Sequence, residues 1–297
     1  MGYACLNITL KTKFKDLTLK TLESLNIEDK IKKLNSISLN NTSLIDDILE
    51  FNYNNNIYLY RMPTNLLPFP THSSAKEWNW REILLPCFQH TGSLANKYNM
   101  RLSFHADEYT VINSNNDSVF NNSYQTLIYL SDVLDLMGII GHIVIHIGGV
   151  YGDKAGSKKR FISNFYKLPQ QVRSKLVIEN DDKQYDWKDA LEICREIGNP
   201  MVLDIHHHRI NNSYRPLTSE DIKEIFSTWN GYKPKIHVSS PQHIKNLKPH
   251  ADYINIEDFL WFHDLSKSYD YDIMLEAKAK ELAVIKFRDD LKLLYMK

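Results

Sequence analysis

The chain is poor in the residues that staple or break small folds, holding 3 Cys, 10 Gly and 10 Pro among 297 residues. Cys5, Cys87 and Cys194 are scattered, odd in number and form no C-x-x-C pair. A disulfide scaffold is therefore disfavoured, and a reducing intracellular compartment is the simple expectation. No apolar run approaches the roughly 20 residues that span a bilayer, so no membrane role is expected. The start, Met-Gly-Tyr-Ala-Cys, lacks the basic region of a secretory signal. No G-x-G-x-x-G follows the first β-rich run, which disfavours a dinucleotide cofactor. One-sided charge is missing too: 36 basic and 36 acidic residues leave a net charge of zero. The whole-chain field does not announce a nucleic-acid partner, although a local groove can still be basic. No Gly/Ser linker or low-complexity tail divides the sequence, so residues 1–297 read as one domain.

What is present is a packable chain, 43% hydrophobic and 24% charged. Short runs rich in branched and aromatic residues recur: Tyr3–Ile8, Ile57–Met62, Leu102–His105, Ile143–Ile147, Leu176–Glu179, Met201–Ile205, Lys235–Val238 and Ile273–Leu275. Helical periodicity fills most of the gaps between them. Tyr124, Leu127, Ile128, Leu134 and Met137 share one face, with Gly138 as the stop. Ala190, Leu191, Cys194 and Ile197 share another, between Asp186 as N-cap and Gly198. Eight alternations in a chain of this length predict an α/β fold of the TIM (β/α)8 barrel type, with a doubly wound open sheet as the alternative.

The ends of these runs are chemically unusual. His105, His146, Glu179, Asp204, His237 and Glu276 close the third to eighth strands. In a barrel those ends converge on one face, where catalytic groups gather. Strand parity turns His146, Glu179, His237 and Glu276 inward above apolar neighbours. Parity does not decide between His206 and His207. Any one of these residues alone reads as a structural histidine or a surface acid. Six together would leave costly buried charges unless they shared cations, which makes a metal cluster the expected arrangement. His72, His90, His142, His243 and His263 read as surface or loop histidines. Lys11, Lys13, Lys15 and Lys20 follow the first strand, and Lys158, Lys159 and Arg160 the fourth. Both groups sit where a barrel could offer them to phosphate.

Taken in order, these fragments resemble the UV damage endonuclease (UvsE/UVDE) family over nearly the whole chain. The resemblance rests on Gly2-Tyr3 with Asn7, Tyr60-Arg61, the Ser-Phe-His run to Tyr109 and Ile-His-Ile-Gly-Gly. It continues through Val-Ile-Glu-Asn-Asp-Asp-Lys, Leu-Asp-Ile-His-His, Lys-Ile-His-Val-Ser-Ser-Pro and Leu-Glu-Ala-Lys. It implies a barrel of the endonuclease IV and xylose isomerase kind holding two to three divalent ions, usually Mn2+. The implied ligands are His105, His146, Glu179, Asp204, His207, His237, His250 and Glu276. His207 is preferred over His206 by resemblance alone. Lys235, Glu179 and Glu276 are assigned the catalytic part, with Lys235 acting as a cation or a bridging carbamate. Tyr3, Asn7, Glu108 and Tyr109 are implied to probe the lesion. Ala106 and Glu108 replace the family's Pro and Gln, and Arg61-Met62-Pro63-Thr64 replaces its Arg-x-Ser-Ser.

The implied reaction is hydrolysis of the phosphodiester immediately 5′ to a pyrimidine dimer or 6-4 photoproduct in double-stranded DNA, leaving 3′-hydroxyl and 5′-phosphate. A cytoplasmic, nucleoid-associated monomer is the expected state. An endonuclease IV-like abasic-site enzyme, a sugar isomerase and a non-cleaving lesion-binding protein are the alternatives.

Overall fold

The computed structural model describes residues 1–211, 216–243 and 245–295. Eight parallel strands close a barrel: β1 (Gly2–Ala4), β2 (Leu59–Arg61), β3 (Arg101–His105), β4 (His142–His146), β5 (Leu176–Glu179), β6 (Met201–Asp204), β7 (Lys235–Val238) and β10 (Asp272–Leu275). All eight expected runs coincide with a barrel strand. A small antiparallel pair, β8 (Pro241–His243) and β9 (Asn246–His250), stands outside it. Nothing in the sequence pattern announced this pair, because its side chains are mostly exposed and show no apolar alternation.

The first strand is shorter than expected. Cys5 takes a left-handed backbone at φ 66°, and its N–H makes a last bond to Arg61 O at 2.8 Å before the chain leaves the sheet. Asn7 therefore lies in the loop after β1, not on the strand. The helix stops are as expected. Gly138 at φ 64° ends helix Asp117–Met137 and Gly198 at φ 75° ends helix Trp187–Ile197. Asp186 caps the latter by accepting from Lys188 N and Asp189 N. Only glycine takes such left-handed stops without a Cβ penalty.

The barrel interior has two halves. Val144, Val177 and Val202 fill one, plugged from below by Trp229, whose Nε1 donates to Met201 O at 2.8 Å. The other half is polar: buried Lys235 donates to Ser103 Oγ at 3.3 Å, and Arg101 pairs with Asp272 at the lower rim. The large apolar layer lies between barrel and helices. His142 is no loop histidine. It opens β4, half-buried, with its ring edge-on to Trp229 and Tyr232.

Two expectations follow. An added Cβ at Gly92 would lie 1.7 Å from Met137 O, at the crossing of helices Leu85–Lys97 and Asp117–Met137. Gly92→Ala should therefore destabilise by about 1–3 kcal/mol, read as a fall in Tm of several degrees. Burial, with Lys235 and Arg101 adding to it, lowers the His142 pKa to about 3. The unfolded state, near the usual 6.5, binds a proton first, so this contribution is intact above 6.5 and is lost as pH falls from 6.5 toward 3. His142→Phe should show a shallower loss of urea stability between pH 6.5 and 4.5, by up to about 1 kcal/mol per pH unit.

Candidate metal centre

Glu179 ends β5 with no exposed surface. Four imidazoles, three from strands β3, β4 and β7 and one from the turn after β6, converge on its carboxylate. His105 Nε2 lies 2.7 Å and His146 Nε2 3.8 Å from Oε2, while His237 Nδ1 lies 3.0 Å and His207 Nδ1 3.6 Å from Oε1. Asp204 and Glu276 extend the network. His207 Nδ1 is 3.6 Å from Asp204 Oδ2, His237 Nδ1 is 3.4 Å from Glu276 Oε1, and His250 Nδ1 is 3.8 Å from Glu276 Oε2. All eight residues expected as ligands thus meet at one end of the barrel. Among the described residues, three sets could each hold an ion: His105–Glu179–His237, His146–Glu179–His207 and Asp204–His237–Glu276, with donor atoms within 4.8 Å of one another.

The register builds this cluster. Parallel pairing sets His146 beside Glu179 and Asp204 beside His237. Asp204 also caps the short helix Ile205–Ile210, with Oδ1 accepting from His206 N and His207 N at 2.7 Å each. That turn separates the two histidines. His207 faces Glu179, whereas buried His206 turns its Nε2 to Leu247 O on β9, 2.8 Å away. Asn180 locks the turn, donating to Asp204 O at 3.0 Å and accepting from Asp204 N at 2.9 Å. Its backbone oxygen meets His207 Nδ1 at 3.1 Å. Asn180 was not singled out in the sequence, although its place next to a strand-end acid was the available signal.

The electrostatics suit cations. Burial opposes ionisation of Glu179, but His237, His146 and His105 outweigh it and hold its pKa well below the usual value. Burial raises Asp204 to about 7 despite His207. Burial opposes protonation of His207, yet Asp204, Glu179 and Glu276 raise it to about 9. Burial lowers the His237 pKa to about 4, against the opposing pull of Glu179. Glu276 pairs with Arg61, which holds its carboxyl low against burial. Among the described residues, the buried atoms Asp204 Oδ2, His146 Nδ1 and His237 Nε2 have no hydrogen-bond partner. Unpaired buried donors and acceptors are expensive. A His/carboxylate set with such spare atoms fits first-row divalent ions. Uptake at His207 must displace its proton, since an imidazole ligates when neutral.

Lys235 lies two residues before His237 on β7. Burial, followed by Arg101 and Arg61, lowers its amine to about 7. A groove of about 660 Å3 opens over the cluster, walled by Leu6, Lys13, Arg61, Pro63, His105 and Glu108. The four expected lesion contacts divide. Glu108 lines the groove and Tyr109 is 79% exposed beside it. Tyr3 and Asn7 are buried instead. Tyr3 OH donates to Asn52 Oδ1 at 2.9 Å and accepts from Asn7 Nδ2 at 2.8 Å, so its ring belongs to the helix layer. Strand parity sends Tyr3 outward, and in this arrangement neither residue presents a surface for stacking. Arg61 was noted in the sequence only as part of a motif. Its contact with Glu276 spans 215 positions, which no local pattern reveals.

Fold and site together define a TIM barrel whose C-terminal mouth carries a His/carboxylate cluster able to hold several cations. The family model "UV-endonuclease UvdE" matches residues 1–295, and the chain belongs to that family of DNA endonucleases. A UV DNA damage endonuclease of Bacillus mycoides (strain KBAB4) is 35% identical over 277 residues, covering 91% of this chain and 87% of that protein. The crystal structure of SacUVDE superposes with a TM-score of 0.89 at 34% identity, covering 99% of this chain and 98% of that one. Endonuclease IV from Thermus thermophilus shares the fold, with a TM-score of 0.56 at 15% identity over 84% of this chain and 94% of that one.

Glu179 touches two of the three possible cation sets, so Glu179→Gln should weaken metal retention more than loss of one outer ligand. The expected result is at least tenfold poorer retention of Mn2+ through dialysis, by elemental analysis, with an unchanged far-UV circular dichroism spectrum.

Proposed function

We propose that this chain, as one domain over residues 1–297, is a metal-dependent repair endonuclease acting on double-stranded DNA with UV lesions. It nicks the phosphodiester immediately 5′ to cyclobutane pyrimidine dimers and 6-4 photoproducts, leaving 3′-hydroxyl and 5′-phosphate. The observation that carries this reading is the buried Glu179 cluster, whose partners His105, His146, His207 and Glu276 line a groove of about 660 Å3 at the barrel mouth. No described helix is long and apolar enough to cross a membrane. The enzyme works as a cytoplasmic monomer close to the nucleoid.

His105, His146, Glu179, Asp204, His207, His237, His250 and Glu276 hold two to three divalent ions, Mn2+ being the preferred one. Bound there, the ions supply positive charge against the scissile phosphate and activate water at neutral pH. The chain's own residues do the rest. Glu179 and Glu276 fix the cation positions and spread negative charge over the floor. Arg61 orients Glu276 through their ion pair. Lys235, buried with its pKa lowered to about 7, either offers a proton as the ammonium or, as the neutral amine, adds to carbon dioxide to form a carbamate and release one proton. Exposed Tyr109 stacks in the gap that a poorly stacked dimer leaves, and Glu108 accepts from a base edge rather than meeting phosphate. Tyr3 and Asn7 support the loop after β1 from beneath.

Incision of a duplex with one defined thymine dimer tests the reading. Mn2+ should give a single nick 5′ to the lesion, and chelator should abolish it. Cutting only at an abasic site would favour endonuclease IV-like chemistry, and metal-dependent binding without a nick would favour a lesion-binding protein. Tyr109→Ala should lower the preference for damaged over intact duplex by roughly five- to hundredfold, the worth of one stacked base, with metal content unchanged.

A further inference from the structure

Arg173 differs from the other arginines of this chain. It ends the short helix Gln170–Arg173, just ahead of β5. Among the described residues, every other arginine has a carboxylate or a backbone carbonyl to donate to. Arg173 has neither, and its Nε is buried without a partner. Its guanidinium carbon lies instead 5.5 Å from the ring centre of Tyr166 and 5.9 Å from that of Phe165. Ring faces attract a cation, but they do not replace the in-plane oxygen acceptors that suit a guanidinium fork. A buried donor left unpaired costs about 1–3 kcal/mol. The backbone beneath it is nonetheless fixed, since Asn199 Nδ2 donates to Arg173 O at 2.7 Å. An anchored cation with no acceptor of its own is prepared for one from outside.

Arg173 lines a cavity of about 270 Å3 at the N-terminal end of the barrel, opposite the metal cluster. Its walls come from the start of β4 and from the segments that lead into β5, β6 and β7. Among the described residues no acid lines it, and Arg173 is its one charge. Burial lowers the His142 pKa to about 3, so that ring stands uncharged at neutral pH. The wall beside His142 is aromatic: its ring centre is 5.3 Å from that of Trp229 and 5.9 Å from that of Tyr232. Tyr166 and Tyr232 both line the cavity while 53% and 52% exposed, so their rings are open to a ligand. Small-molecule sites combine such walls with a few polar groups that fix orientation. The volume is just under the roughly 300 Å3 where sites for drug-sized ligands begin, which suits one ring system with its acid group. We propose that this cavity binds a small aromatic anion, with its carboxylate or phosphate on Arg173 and its ring against Tyr232 and His142. The inference is independent of the nuclease reading, because His142 opens β4 at this end while His146 closes it at the other. An aromatic acid and a nucleoside monophosphate share this chemistry, and the probes separate them.

The test titrates fluorobenzoate and thymidine 5′-monophosphate into the Mn2+-loaded full chain, read by fluorine NMR and calorimetry. At least one probe should bind with a submillimolar Kd and raise the Tm. Tighter binding of fluorobenzoate assigns the site to aromatic acids, and tighter binding of the nucleotide assigns it to nucleoside monophosphates; both results support the proposal. Arg173→Gln should weaken the bound probe at least tenfold, the loss expected for one charged hydrogen-bond partner. Arg173→Lys should fall between, keeping the charge without the fork. Inorganic phosphate and thymidine, each carrying half of the required chemistry, should bind at least tenfold more weakly than the better probe. The free Arg173→Gln protein should keep the parent's Tm, because no native acceptor is lost. Absence of binding by both probes at millimolar concentration overturns the proposal, as does equal binding by parent and Arg173→Gln. Binding lost in Glu179→Gln but kept in Arg173→Gln overturns it by placing the probe on the metal cluster. A free Arg173→Gln protein whose Tm falls by several degrees overturns it too, by assigning Arg173 to packing against Tyr166 and Phe165.

Discussion

One buried carboxylate organises the mouth of this barrel. Glu179 has no contact with solvent, and an isolated acid there would cost several kcal/mol. Imidazoles from β3, β4 and β7, together with His207 just past β6, surround it. Backbone pairing sets the strand residues, with His146 beside Glu179 and Asp204 beside His237 in the ladder, and the turn capped by Asp204 sets His207. A one-residue slip in either pairing would send these side chains into the helix layer. Sites built on strands in this way are held more closely than sites built on loops.

Glu281 shows by contrast what makes Glu179 a ligand candidate. Both carboxylates are fully buried. Glu281 is saturated by two backbone N–H donors and a hydroxyl, which offer no position to a cation. Glu179 is met by imidazole nitrogens, which can exchange a proton for a metal ion. The same residue type therefore serves as an anchor in one place and a candidate ligand in the other, and the difference lies in the chemistry of the partners.

Much of this was legible in the sequence because the strands are short and end on their chemistry. His105, His146, Glu179 and Asp204 are the last residues of β3 to β6, so finding the strands also found the cluster. Asp186 and Gly198 marked a helix through local backbone chemistry that needs no tertiary context. What escaped was non-local or unpatterned. The turn that separates His206 from His207 depends on capping by Asp204, which alternation does not encode. The left-handed backbone at Cys5 ended β1 early and moved Asn7 into the loop. Pro241–His250 lacks an apolar face, so its pairing left no periodic trace.

Tyr3 carries a more general lesson about where specificity resides in this fold. A strand at the mouth sends alternate residues into the barrel and into the helix layer, so only part of each strand end can address a substrate. Tyr3 points to the helices, packs edge-on to Tyr60 with ring centres 5.4 Å apart, and bonds to Asn52. Its phenol is spent on joining barrel to helix layer, which leaves contact with a substrate to the loops beyond the strands. Glu108 and Tyr109 after β3, and Leu6 and Ile8 after β1, are all exposed. Strand ends thus fix the chemistry within ångströms, while loops are free to vary what is admitted. A change at Glu108 can therefore alter the groove wall without disturbing the His/carboxylate floor.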